Sequence, residues 1–116
     1  MTDRPTRPGP DIDPVEASRL SDTGEVVLLD VREADEWAAG RASSATHMPL
    51  GELRPDALPP GARVVTVCRS GGRSAQAAAG LALAGVQAQN MAGGMKAWAK
   101  AGLPVTADGG RPGTIA

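Results

Sequence analysis

Two short stretches, Val26-Val27-Leu28-Leu29 and Val64-Val65-Thr66-Val67, are almost unbroken runs of apolar and β-branched side chains. Each is too short for a helix and lacks the alternation of a half-exposed strand. Both are therefore expected to be strands buried on two faces, as in a parallel sheet. Around them the period changes. Asp13-Pro14 places an N-cap candidate before a proline at the first helical position, and Val15, Ala17, Ser18 and Leu20 follow at spacings compatible with a short helix that stops before Gly24. Residues 33–39, charged and alanine-rich around Trp37, predict a helical turn or two ended by Gly40 as the C′ residue.

Further along, a short strand is expected at 45–48, then Pro49 and a small helix near 51–56, with Pro59-Pro60-Gly61 as a turn. Residues 74–84 carry Leu81 and Leu83 among alanines, good helix material with Gly85 as the stop. Residues 86–91 read as one more strand, and 95–101 as a short helix with Met95 and Trp98 on one face, ended by Gly102 and blocked by Pro104. Strands alternating with helices make βα units, hence an α/β domain with a parallel central sheet and helices on both faces.

Composition narrows the picture. A chain of 116 residues suits one compact domain, here expected over residues 11–105. Residues 1–10, rich in Pro, Gly and charge, are expected to form a flexible N-terminal tail, and 106–116 a C-terminal tail. A net charge of -1 gives no reason to expect a nucleic-acid partner or an anionic membrane surface. The first ten residues have no apolar signal-peptide core and no stretch approaches a membrane span, so a cytoplasmic protein is expected. No metal or cofactor is expected. Trp37 and Trp98 are the only aromatic residues, so the core should be built from Ala, Val, Leu and Met with the two tryptophans as anchors.

The one cysteine, Cys68, excludes an internal disulfide and leaves a free thiol suited to a reducing compartment. A lone cysteine is commonly just a small buried hydrophobe. Its neighbours argue otherwise. Cys68 ends the second apolar run and is followed by Arg69-Ser70-Gly71-Gly72-Arg73-Ser74 and then by the alanine-rich helix. A strand, a tight loop and a helix start converge backbone N–H groups and the positive end of a helix dipole on one point, which favours thiolate, the nucleophilic form. Asp30 also falls at the carboxyl end of a strand, where ligand sites of open α/β sheets lie.

Three segments in order and spacing carry a resemblance: Asp30-Val31-Arg32-Glu33 after one strand, Cys68-Arg69-Ser70-Gly71-Gly72-Arg73-Ser74 after another, and Met91-Ala92-Gly93-Gly94-Met95-Lys96-Ala97-Trp98 before Ala101-Gly102-Leu103-Pro104-Val105. Over about residues 12–105 the chain resembles a single-domain rhodanese, a thiosulfate sulfurtransferase. The resemblance implies a parallel sheet of about five strands flanked by helices, and a cysteine that carries sulfur as a persulfide. It departs at Arg41-Ala42-Ser43-Ser44-Ala45-Thr46-His47-Met48-Pro49, where members often have His-Ile-Pro-Gly-Ala-Ile-Asn-Ile-Pro. No family role therefore moves onto Arg41 or His47, and His47 is read as a surface or packing residue.

On this reading Cys68 attacks the outer sulfur of a small anionic donor such as thiosulfate, releases sulfite and passes the sulfur to cyanide, a thiol or a sulfur-accepting protein. The loop amides from Arg69 through Ser70, Gly71, Gly72 and Arg73 to Ser74 would stabilise negative sulfur, Gly71 and Gly72 letting the backbone turn inward. Arg73 and Arg69 are the candidates for drawing in and orienting the donor, while Asp30 and Arg32 buttress the neighbouring loops by charge-assisted hydrogen bonds. Two alternatives remain open. One is a regulatory or sulfur-relay module of the same fold that binds a protein partner. The other is a cysteine-based phosphatase or arsenate reductase, disfavoured because its signature places an arginine after five intervening residues and Arg73 follows Cys68 after four.

Overall fold

The two apolar runs lie side by side at the centre of a parallel sheet. The structure, a computed structural model, describes residues 7–116; the first six residues of the segment expected as an N-terminal tail lie outside it. In chain order the elements are α1 (Pro14–Asp22), β1 (Val27–Asp30), α2 (Ala34–Ala39), β2 (Thr46–His47), β3 (Arg63–Val67), α3 (Gly72–Leu83), β4 (Gln87–Asn90) and α4 (Gly94–Lys100). Short 3-10 turns cover Leu50–Glu52, Pro55–Ala57 and Asp108–Gly110. The sheet order is β2-β1-β3-β4, all parallel, with Leu29 opposite Thr66 and Val65 opposite Gln89. Among the described residues no helix is long and apolar enough to cross a membrane.

The unbroken apolar runs are explained by burial on both faces. Leu28, Val65 and Val67 point to one side, against Ala17 and Leu20 of α1 and Met95 and Trp98 of α4. Leu29, Val31 and Val64 point to the other, against Ala77, Ala78 and Leu81 of α3. Small alanines on α3 let that helix lie close to the strands, at the interior density that folded cores require. α1 starts as expected: the Asp13 carboxylate accepts the Glu16 N–H at 2.9 Å, and Pro14 occupies the first turn.

Four strands are regular, against the expected five or so. A fifth is reduced to one parallel bridge between Ile12 and Met91 at the β4 edge. Gly9 and Ile12 donate their N–H groups to the Ala88 and Asn90 carbonyls, a step of three residues against two, so this segment falls out of step with β4 and forms no regular ladder. The small helix expected near 51–56 is instead two 3-10 turns. Pro55 forces Arg54 into extended backbone (φ -131°, ψ 94°) and breaks the segment. Helix α3 begins two residues earlier than the expected 74–84, because Gly71 in a left-handed conformation (φ +109°) turns the chain directly from loop to helix.

Only one tryptophan anchors the core. Trp98 is buried, and its Nε1 donates to the Pro104 carbonyl at 2.8 Å. Trp37 is half-buried. The short helix α2 buries no residue, and its tryptophan stacks on His47 (centroids 4.6 Å apart, 8° between planes) beneath the Arg41 guanidinium at 4.8 Å. His47 packs there and bonds the Arg32 carbonyl through Nε2 at 2.8 Å. The residues after Val105 return along this region: Thr106 bridges to Arg41 and Pro112, Thr114 donates to the Ala39 carbonyl, and Ile115 packs on the α1/α4 side of the core.

Candidate active site

Cys68 follows the last residue of β3, almost wholly buried at 1% exposure. Its Sγ accepts the Gly71 N–H at 3.1 Å and the Ser74 hydroxyl at 3.2 Å. Burial by itself pushes the thiol pKa up. The Ser74 hydroxyl, with the backbone N–H groups of Ser74, Gly71 and Ser70, outweighs it and leaves the pKa below the ordinary thiol value. Donors from the loop and from the first turn of α3 thus favour the thiolate form, against a mostly apolar surrounding formed by Leu29, Val31, Val64 and the α3 alanines.

The loop backbone is braced from behind by α4. Met95 and Lys96 donate their N–H groups to the Cys68 and Arg69 carbonyls at 2.8 and 3.0 Å. A side chain at Gly94 would place its Cβ 2.5 Å from the Cys68 carbonyl oxygen, so only glycine allows this approach. The Gly93-Gly94 pair, which the sequence showed only as the start of a helix, therefore fixes the Cys68 loop. Gly72 opens α3 on the solvent side and makes no comparably close approach.

Two loop arginines stand out in the sequence, and both side chains have partners within the chain. Arg73 makes a paired contact with the Glu36 carboxylate of α2, Nη1 to Oε1 at 2.6 Å and Nη2 to Oε2 at 2.8 Å. Arg73 lowers the Glu36 pKa to about 2, helped by the Glu33 N–H that also reaches this carboxylate, while Glu36 raises that of Arg73. Arg69 is exposed, and its Nε donates to the Ala116 carbonyl oxygen at 2.9 Å.

Asp30 and Arg32 meet at the neighbouring strand end. Their side chains are fully buried, with Arg32 Nη2 2.7 Å from Asp30 Oδ2 and Nε 2.9 Å from Oδ1. The same guanidinium donates to the Gly40 and Glu36 carbonyls at 2.7 and 3.3 Å, tying the C-terminal half of α2 to β1. A line of contacts then runs from Asp30 through Arg32 and the Glu36 backbone to the Glu36 side chain and Arg73. Asp30 and Arg32 brace the helix that supplies the partner of Arg73 and make none of the hydrogen bonds to Cys68.

Sequence reasoning passed over Glu36 and Asn90. Asn90, 6% exposed at the end of β4, accepts the Ser74 hydroxyl on Oδ1 at 2.6 Å and donates to the Gly71 carbonyl at 3.3 Å. It lies at a strand carboxyl end like Asp30 and Cys68, and that rule of position could have found it. Thr66, buried on β3, donates to the Ser74 carbonyl at 2.8 Å.

With this arrangement, residues 13–101 match the family described as Rhodanese-like domain, and the chain belongs to that family. A curated protein of Allochromatium vinosum named Sulfurtransferase is 40% identical over 97 residues, covering 81% of this chain and 91% of its own length. The thiosulfate sulfurtransferase GlpE of Actinobacillus succinogenes is 36% identical over 107 residues, covering 88% of this chain and 96% of its own. Among solved structures, a rhodanese-related protein of Thermoplasma volcanium superposes with a TM-score of 0.77 at 26% identity, covering 84% of this chain and 98% of that one. The sulfurtransferase family is thus supported by sequence, and the rhodanese-like α/β fold by both sequence and structure.

Proposed function

We propose that the protein transfers sulfane sulfur from thiosulfate or a similar anionic donor to cyanide or a thiol, including a protein thiol, through a persulfide on Cys68. The observation that carries this reading is a buried sulfur at a strand end that receives the Gly71 N–H and the Ser74 hydroxyl in one loop. The names of relatives with similar sequences support the same class.

In the first step the Cys68 thiolate gives an electron pair to the outer sulfur of thiosulfate. A Cys68 S–S bond forms, the donor S–S bond breaks, and sulfite leaves with that bond's electron pair. Negative charge moves to the terminal persulfide sulfur, close to the N–H groups of Ser70, Gly71 and Ser74 and the N-terminus of α3. The acceptor then attacks this terminal sulfur and Cys68 leaves as thiolate; cyanide becomes thiocyanate, and a thiolate becomes a persulfide. Arg73 orients the donor at short range, its charge partly offset by Glu36, and Arg69 supplies a further cation at the loop rim. The free thiol suits the reducing conditions of a cytoplasm.

Intact mass after thiosulfate treatment tests the reading. The wild type is expected to gain one sulfur atom and the Cys68→Ser variant none. An unmodified wild type, or equal uptake by both, overturns it.

A further inference from the structure

Ser74 has one hydroxyl proton and two acceptors for it. Oγ lies 2.6 Å from Asn90 Oδ1 and 3.2 Å from Cys68 Sγ, and Ser74 is fully buried. The orientation of the Asn90 amide is settled by its other neighbours. Nδ2 faces the Gly71 carbonyl at 3.3 Å and Asp11 Oδ2 at 3.5 Å, both acceptors, so the amide oxygen faces Ser74. The Thr66 hydroxyl holds the Ser74 carbonyl at 2.8 Å, which fixes the backbone from which the hydroxyl swings. A hydroxyl oxygen and an amide oxygen this close attract only when the proton lies between them.

We infer that Asn90 is a positioning residue that competes with the nucleophilic sulfur for the Ser74 proton: the hydroxyl points to Asn90 when Cys68 Sγ is neutral and to Sγ when it is a thiolate. Turning the hydroxyl to the thiolate breaks the bond to Asn90 and leaves a buried amide oxygen unpaired. Part of the thiolate stabilisation is therefore cancelled, which keeps the sulfur more basic and more nucleophilic than a serine serving it alone would. On the proposed function, on which this use of the switch rests, Sγ becomes neutral as the persulfide forms, and the hydroxyl returns to Asn90. Loading with sulfur then strands no donor.

The charged groups around this cluster are Arg73 on α3, Glu36 and Glu33 of the α2 start that offset it, Arg69 in the loop and Asp11 behind the Asn90 amide. Removing the Ser74 hydroxyl alters none of these neighbouring charges, so a double-mutant cycle isolates the hydroxyl.

The experiment follows thiolate ultraviolet absorbance against pH in the full chain, where Cys68 is the only cysteine. Asn90→Ala is expected to lower the Cys68 pKa by about half to one pH unit in the Ser74 background, relative to its effect in the Ser74→Ala background. Equal shifts in the two backgrounds, or a relative rise with Ser74 present, overturn the inference. Circular dichroism establishes that each variant is folded before it is titrated, and Asn90→Asp is nearly isosteric. Its stronger acceptor should raise the pKa more with Ser74 present than without, and an equal rise again overturns it. Sulfur uptake is measured on the same samples by mass. Coupling without uptake sustains the inference and rejects the transfer reading, while uptake without coupling does the reverse.

Discussion

The carboxyl ends of β1 and β3, neighbours in the sheet, each bury a polar cluster, and the two behave in opposite ways. At β1, Asp30 and Arg32 neutralise each other, and the remaining guanidinium donors reach carbonyls of α2 and its cap. At β3, donors converge on one polarizable sulfur, and these are a backbone N–H and a hydroxyl, neither carrying a formal charge. A closed set of partners makes a brace. Donors gathered around a single titratable atom favour its anionic form, the form that the proposed nucleophile requires. The same location in the fold, where loops converge, thus serves structure at one strand and, on the proposed function, chemistry at the next.

Substitutions that separate the two clusters should separate stability from activity. The largest effect is expected at the sulfur: Cys68→Ser should reduce thiosulfate-to-cyanide turnover by on the order of a thousand-fold or more, with little change in the thermal midpoint. Retained turnover would sink the persulfide step. At the brace, Arg32→Met should cost about 3–5 kcal/mol in denaturant unfolding because it leaves Asp30 buried without its partner. Replacing both Asp30 and Arg32 with apolar residues should cost less than that, and a larger loss would show that the carbonyl contacts matter more than the charge pair.

Glu36 connects the two regions and gives the next effect. Its pKa is depressed to about 2 by Arg73, and its side chain is only 15% exposed. A depressed carboxylate stabilises the fold above its unfolded pKa and loses that contribution as pH falls through the folded value. Wild type should therefore exceed Glu36→Gln by about 2–3 kcal/mol at neutral pH, with the gap closing from about pH 4.5 towards 2. A gap independent of pH would place the effect in packing instead. The smallest effect belongs to Ser74→Ala, which removes the hydroxyl from Sγ and should raise the Cys68 pKa by about one unit. The acid limb of turnover should move to higher pH by the same amount, and denaturant unfolding should lose about 1–2 kcal/mol because the buried Asn90 oxygen is left without its donor.

Much of the framework can be read along the chain, since its causes are local. Burial on both faces writes Val26 to Leu29 and Val64 to Val67 as continuous apolar runs, and the Asp13-Pro14 cap announces α1 through adjacent residues. The strand, loop and helix around Cys68 occupy consecutive positions, so their order and the Gly71 turn are legible too. The edge is less so. Between Gly9 and Ile12 the segment falls out of step with β4 and leaves one bridge at Ile12 in place of a full strand, a register that depends on how the chain docks on the sheet edge. Trp37 reads as a core residue because its type signals burial, whereas α2 buries no residue and Trp37 stacks on His47 instead.

The sequence by itself determined the α/β alternation, the location of the thiol at a strand-to-helix turn and the number of residues in its loop. Each follows from backbone geometry and side-chain pattern within a few positions. Only the tertiary structure decided that Glu36 holds Arg73 from 37 positions away, that Gly94 abuts the Cys68 carbonyl, and that Asn90 faces Ser74 across 16 positions. Those contacts arise where parallel strands bring their carboxyl ends together. The crossover connections and sheet register that bring them there are properties of the whole fold, which no short window of sequence contains.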